Sequence, residues 1–231
     1  MKRRLTRGLI LLGVTVPMLS ALSCRAASAA VTIPDPRVDT PLASAPGQQM
    51  AVFAGGCFWG IQAVFEHVKG VISATSGYSG GDVPNPGYEM VSSGTTGHAE
   101  SVKLVYDPSK ITYGQLLKVF FAVAHDPTEL NRQGPDVGTQ YRSAVFYLNA
   151  EQERVANAYI TQLDEAGVYA RPIVTRVTPF KAFYDAEAYH QDYAIKHPDN
   201  AYIAINDAPK VVNLKKELPA LYTATVAHPQ P

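Results

Sequence analysis

The chain has 231 residues, 46% apolar and 17% charged, with 17 Gly, 17 Pro and two Cys, a composition near the globular average that excludes disordered, collagen-like and fibrous classes. Lys2, Arg3, Arg4, Arg7 and Arg25 stand in the first 30 residues without an acid, leaving 15 bases against 20 acids in the remainder, a balance that argues against nucleic acid and anionic lipid surfaces as partners. Two cysteines exclude a disulfide scaffold and a cysteine-rich metal site.

Residues 1–30 read as a signal peptide: a basic start, then an apolar run over residues 8–22 that is shorter than the roughly 20 residues a membrane span needs. Ala27-Ser28-Ala29 offers a cleavage site, while Ser20 to Cys24 loosely resembles a lipoprotein box that would place a lipid anchor on Cys24. Either route exports the protein, with the periplasm as the expected compartment. Residues 31–49, with Pro34, Pro36, Pro41 and Pro46, read as an extended proline-rich linker.

A domain is expected over residues 50–210, followed by a cysteine-free tail over residues 211–231. Residues 50–54 form a short apolar strand, Gly55-Gly56 a turn, and residues 58–68 a helix ended by Gly70. A strand over 71–78 precedes a Gly-, Ser- and Pro-rich loop over 79–97, long enough to carry function. Residues 101–106 alternate as a strand, and Thr112 caps a helix over 113–124. A turn-rich loop over 125–140 leads to a strand over 142–148, a helix over 150–166 capped by Asn149, a strand over 173–177 and a short helix over 185–195. Interleaved strands and helices imply two layers with a mixed sheet, α+β or α/β.

Gly55-Gly56-Cys57-Phe58-Trp59-Gly60 sets a thiol just after a strand, on a glycine turn, at the start of a helix. Unsatisfied N–H groups and the positive helix end there favour a thiolate, and glycine lets a ligand approach the backbone at Gly56. Cys57 is thus a candidate nucleophile, with Phe58 and Trp59 as a pocket for a small uncharged group. His98 and His190 raise the alternatives of a cysteine hydrolase or a metal site, but neither stands in a metal-ligand spacing. A binding domain without catalysis is the third alternative.

Gly56 to Gly60, Gly87-Tyr88, Thr96 to Glu100, Gly134 to Ser143 and Phe183 to Gln191 together resemble the A-type peptide methionine sulfoxide reductases, in order and across residues 51–197. The resemblance implies an α+β fold with a two-layer split β-α-β (ferredoxin-like) core and a mixed sheet flanked by helices. It implies reduction of the S epimer of methionine sulfoxide, free or in peptides, without a bound cofactor, and with it the repair of oxidised protein; separately, a monomer is expected. It assigns Cys57 to attack on sulfur, Glu100 to protonation of the sulfoxide oxygen, Tyr88 and Tyr141 to hydrogen bonds with that oxygen, Asp136 to orienting substrate or water, and Phe58 and Trp59 to holding the methyl group. That chemistry calls for a carboxylic acid kept protonated near neutral pH beside phenols that do not titrate.

Many members of that family resolve the sulfenic acid with a further cysteine in the tail; residues 214–231 contain none. The reductant is therefore expected to be an external thiol: a thioredoxin-like protein, a glutaredoxin-like protein or a small molecule.

Overall fold

The computed structural model describes residues 31–227; the expected signal peptide over residues 1–30 and Cys24 lie outside the described residues. Strand β1 (Gln49–Gly55) leads through Gly56 and Cys57 into helix α1 (Phe58–Glu66), and β2 (Val71–Ser79) follows. After a loop carrying the short helix α2 (Tyr88–Ser92), β3 (Ala99–Tyr106) precedes α3 (Tyr113–Val119), which widens into a π-helical turn over Phe120–Ala124. A small hairpin of β4 (Arg132–Gln133) and β5 (Asp136–Val137) and a tight turn (Thr139–Tyr141) lead to β6 (Ser143–Tyr147) and α4 (Ala150–Glu165). Next come β7 (Arg176–Pro179), β8 (Phe183–Asp185), a turn over Ala188–His190 and α5 (Tyr193–Lys196). A second π-helical turn (Ile203–Asp207) runs into α6 (Ala208–Glu217).

The main sheet has the order β7-β6-β1-β3-β2-β8. β6 and β7 are parallel and every other neighbouring pair is antiparallel, so the sheet is mixed and the fold is α+β. β3 lies between β1 and β2, which therefore point the same way and are joined by α1.

Side chains alternate across the sheet, and the two faces bury different things. Ala51 and Phe53 of β1, Val102 and Leu104 of β3 and Val145 of β6 join Ile61, Val64 and Phe65 of α1, Leu116 and Leu117 of α3 and Val155 and Tyr159 of α4 in the main core. Val52, Ala54, Ala99, Ala144 and Phe146 form a smaller cluster on the other face. Local chemistry sets the helix starts: Thr112 accepts from the Gln115 N–H and the Gln115 side chain accepts from the Thr112 N–H, and Asn149 accepts from the Gln152 N–H at 2.9 Å.

Three expectations need correction. Residues 31–49 are not a free linker: Ile33 is buried, Val31 N–H donates to Ala122, Tyr159 donates to the Pro34 carbonyl at 2.7 Å, and Asp39 accepts from the Gly114 N–H at 2.7 Å. Proline removes donors and fixes φ, but the carbonyls and acids of this strap still find partners on α3 and α4. The domain does not end at residue 210, since residues 211–227 of the expected tail pack on it: Leu214 is fully buried, and the Thr223 and Ala227 N–H groups donate to His67 and Glu66. Of the expected helix over 185–195, Asp185 ends β8, Ala188–His190 is a tight turn and only Tyr193–Lys196 is α-helical, because the Gln191 side chain bonds the Ser76 backbone and Asp192 turns left-handed at φ 58°, breaking the helix between them.

Candidate active site

Adjacent antiparallel strands put the end of β1 beside the beginning of β3, which is what brings Cys57 and Glu100 together. Glu100 is buried and accepts a 3.1 Å hydrogen bond from the Phe58 N–H, one of the free donors of the first turn of α1. Burial, helped by Asp136 and Asp207, pushes its carboxyl up to about 8 against the pull of that N–H. Gly56 has φ +99°, and any Cβ there would meet the Gln133 side chain, so this turn requires glycine.

Cys57 is 8% exposed and caps α1. The expectation of a resting thiolate is overturned. Burial raises the thiol well above its ordinary value, and the carboxylates of Glu100 and Asp207 add to this; the Trp59 N–H and the Lys210 ammonium oppose without winning. The helix end contributes a partial charge, whereas desolvation removes most of the thiolate's hydration.

Tyr88 opens α2, where its N–H donates to Glu187 at 2.8 Å; the other oxygen of Glu187 accepts from the Tyr78 hydroxyl at 2.9 Å. Gln140, next to Tyr141, donates to the Ser92 carbonyl and ties the tight turn to α2. Burial raises both Tyr88 and Tyr141, and the charges of Glu100 and Cys57 act on each, so both phenols share one electrostatic environment with the thiol and the acid. Asp136 accepts from the Tyr202 hydroxyl. Its carboxyl is raised by burial.

Phe58 is buried against Tyr78, with ring centroids 5.9 Å apart. Trp59 stacks on Tyr193 at 3.9 Å and donates its indole N–H to His190 Nδ1 at 3.1 Å. That bond makes His190 a brace for Trp59, and burial keeps its imidazole below its ordinary value. His98 binds the Gly81 N–H and the Val83 carbonyl, holding the loop that precedes α2. Neither histidine is arranged as a base for Cys57.

Sequence reasoning missed Tyr202, Asp207 and Lys210. Asp207 and Lys210 form a 3.0 Å ion pair with side chains 0% and 7% exposed, packed under the first turn of α1. A Cβ on Gly60 would collide with Asp207 Oδ1 and lie 2.7 Å from Lys210 Nζ, so the glycine after Trp59 makes room for the pair.

A sequence profile of the family described as peptide methionine sulfoxide reductase matches residues 49–221. The chain is 59% identical over 180 residues to a protein of Mesorhizobium japonicum named peptide methionine sulfoxide reductase MsrA 2, covering 78% of this chain and 92% of that one. It is 52% identical over 169 residues to the MsrA of Deinococcus radiodurans, covering 73% and 82% respectively. Among solved structures, reduced Mxr1 of Saccharomyces cerevisiae matches with TM-score 0.62 at 31% identity over 74% of this chain and 96% of that one. Methionine sulfoxide reductase A of Corynebacterium diphtheriae matches with TM-score 0.58 at 34% identity over 74% and 87%. The sheet, the Gly-Gly-Cys turn and these similarities agree: the chain belongs to the peptide methionine sulfoxide reductase family and is an oxidoreductase that reduces methionine sulfoxide.

Proposed function

We propose that Cys57 attacks the sulfur of an S-methionine sulfoxide while Glu100 protonates its oxygen, and that an external thiol then restores Cys57. The observation that carries this reading is a carboxyl raised to about 8, buried and bonded to the residue after the thiol. A sulfoxide oxygen leaves only when protonated, and such a carboxyl still holds its proton at neutral pH. The resting thiol fits the same scheme. Glu100 lends its proton to the oxygen, the thiol proton replaces it, and methionine departs as Cys57 becomes a sulfenic acid, oxidised by two electrons.

Tyr88 and Tyr141 donate to the oxygen as charge builds on it, remaining protonated themselves. Asp136, held by Tyr202, orients the substrate or a water. Phe58 and Trp59 enclose the methyl group. The β6-β1-β3-β2 order with helical crossovers supports a split β-α-β, ferredoxin-like description of the core.

The basic start and short apolar run of residues 1–22 support export, with the periplasm as the site of repair; recovery of the mature chain in the cytosol on fractionation would rule this out. The activity is tested by one turnover of the purified protein on separated S and R epimers of a methionine sulfoxide peptide, without reductant. One equivalent of methionine from the S epimer alone, with Cys57 found as sulfenic acid by mass, is the expected result. Methionine from both epimers, or none from either, refutes the proposal.

A further inference from the structure

Cys57 borders a cleft of about 760 Å³ that none of Glu100, Tyr88, Tyr141, Phe58 and Trp59 lines. Cys57, Gln133, Tyr202 and Lys210 line it together with the charged side chains of Asp126, Glu129, Arg132 and Arg171. Tyr202 lines this cleft and its hydroxyl donates to Asp136 of the proposed sulfoxide site. The thiol therefore borders a space that the acid and the phenols do not line.

We propose that this cleft admits the reducing thiol, a small thiol carrying both ammonium and carboxylate groups, to the Cys57 sulfenic acid. The inference rests on regeneration by an external thiol. Three features argue for this occupant. The volume lies in the range of small-ligand sites, about 300–1,000 Å³. The lining carries charges of both signs, Arg171 3.5 Å from Asp126 and Arg132 3.7 Å from Glu129, each also bonded to Thr128 or Gly134, so a ligand of mixed charge meets both a cation and an anion there. The Lys210 ammonium lines the cleft together with Cys57 and offers a positive charge to an incoming thiolate.

The chemistry balances over two steps. The ligand thiolate attacks the Cys57 sulfur, an S–S bond forms as the S–O bond breaks, and the hydroxide leaves as water with the proton the thiol released. A second molecule of the thiol attacks the ligand's own sulfur in the mixed disulfide and returns Cys57 as a thiol, so two thiols are oxidised to one disulfide and the sulfenic sulfur gains two electrons.

Ala170 is exposed and lines the cleft, so Ala170→Trp narrows it without disturbing the core. The full mature protein is first taken through one turnover with the S epimer, giving the methionine burst, and decay of the trapped sulfenic acid is then followed with glutathione as the small thiol, dithiothreitol as an uncharged thiol and a thioredoxin as a protein dithiol. The expected result is a glutathione rate that saturates with concentration, and that in Ala170→Trp falls at least tenfold relative to its own burst rate. Arg171→Glu should raise the half-saturating glutathione concentration and leave the dithiothreitol rate where it was. A glutathione rate that does not saturate, or that Ala170→Trp does not lower, overturns the cleft assignment. So does saturation by thioredoxin alone, which makes the reductant a protein. Absence of the burst itself would instead count against the catalytic reading of Cys57 and Glu100.

Discussion

Replacing Glu100 by Gln isolates the proton from the carboxyl's other duties. The amide keeps the size of the side chain and its oxygen can still accept from the Phe58 N–H, so the turn around Cys57 keeps its shape. What disappears is acid. At pH 7 a carboxyl with its pKa near 8 is about 90% protonated and one at the ordinary 4.5 roughly 0.3%, so burial gives the wild type about 300 times more of the acid form. Loss of a general acid typically costs about 10²–10⁴ in rate, and the single-turnover methionine burst of Glu100→Gln should fall within that span. Its pH profile is the sharper readout. The wild-type burst should be level below about pH 7 and decline about tenfold per unit above about pH 8 as Glu100 ionises, whereas the variant's should lack that decline. A wild-type burst that rises from pH 7 to 9, the mark of a thiolate-limited step, or a variant within about threefold of wild type would refute the reasoning.

Other consequences concern stability. Glu66 is buried and raised to about 9, and Glu100 to about 8, while an unfolded Glu titrates near 4.5. The native state therefore holds more protons than the unfolded one, and stability falls as pH rises through the window from about 6.5 to 8; His67, His125 and His190, all lowered, act in the opposite direction only below it. The two carboxyls set a limiting slope of about 3 kcal/mol per pH unit, urea midpoints should show the decline, and Glu66→Gln should remove about half of it. Lys210→Met strands Asp207 in the interior and should cost about 3 kcal/mol in urea unfolding, most of it recovered in the Asp207→Asn, Lys210→Met double variant. Asp39→Ala frees the Gly114 N–H and should cost about 1–2 kcal/mol by the same assay; a cost near zero would mean that the strap is not coupled to the domain's unfolding.

What could be read from sequence was local. Thr112 and Asn149 announce their helices because each cap is satisfied within three residues, and the Gly-Gly-Cys turn is legible because glycine there answers a backbone need. Phe183 to Asp185 was not, since its conformation is decided by pairing with Gly77 to Ser79, about a hundred positions away. Asp207 and Lys210 carry a visible signal, opposite charges three apart at a helix start, but a surface pair has the same spacing, and only packing against Gly60 makes this one buried. The resting state of Cys57 escaped for a related reason: a helix end is written in the local sequence, whereas desolvation is a property of everything folded over it.

Trp59 is the chain's one tryptophan, stacked on Tyr193 and bonded through its indole to His190. Light absorbed at the red edge of the protein spectrum therefore enters at a single ring, two positions from the thiol, and all the emission carries news of that place. Protonation of His190, a sulfoxide methyl resting on the indole, or an added oxygen on Cys57 would each alter the polarity or the quenching that the ring experiences. The enzyme is thus its own fluorimeter, and the filling of its site and the consumption of its oxidised form can be followed in a stopped-flow cell with no dye attached.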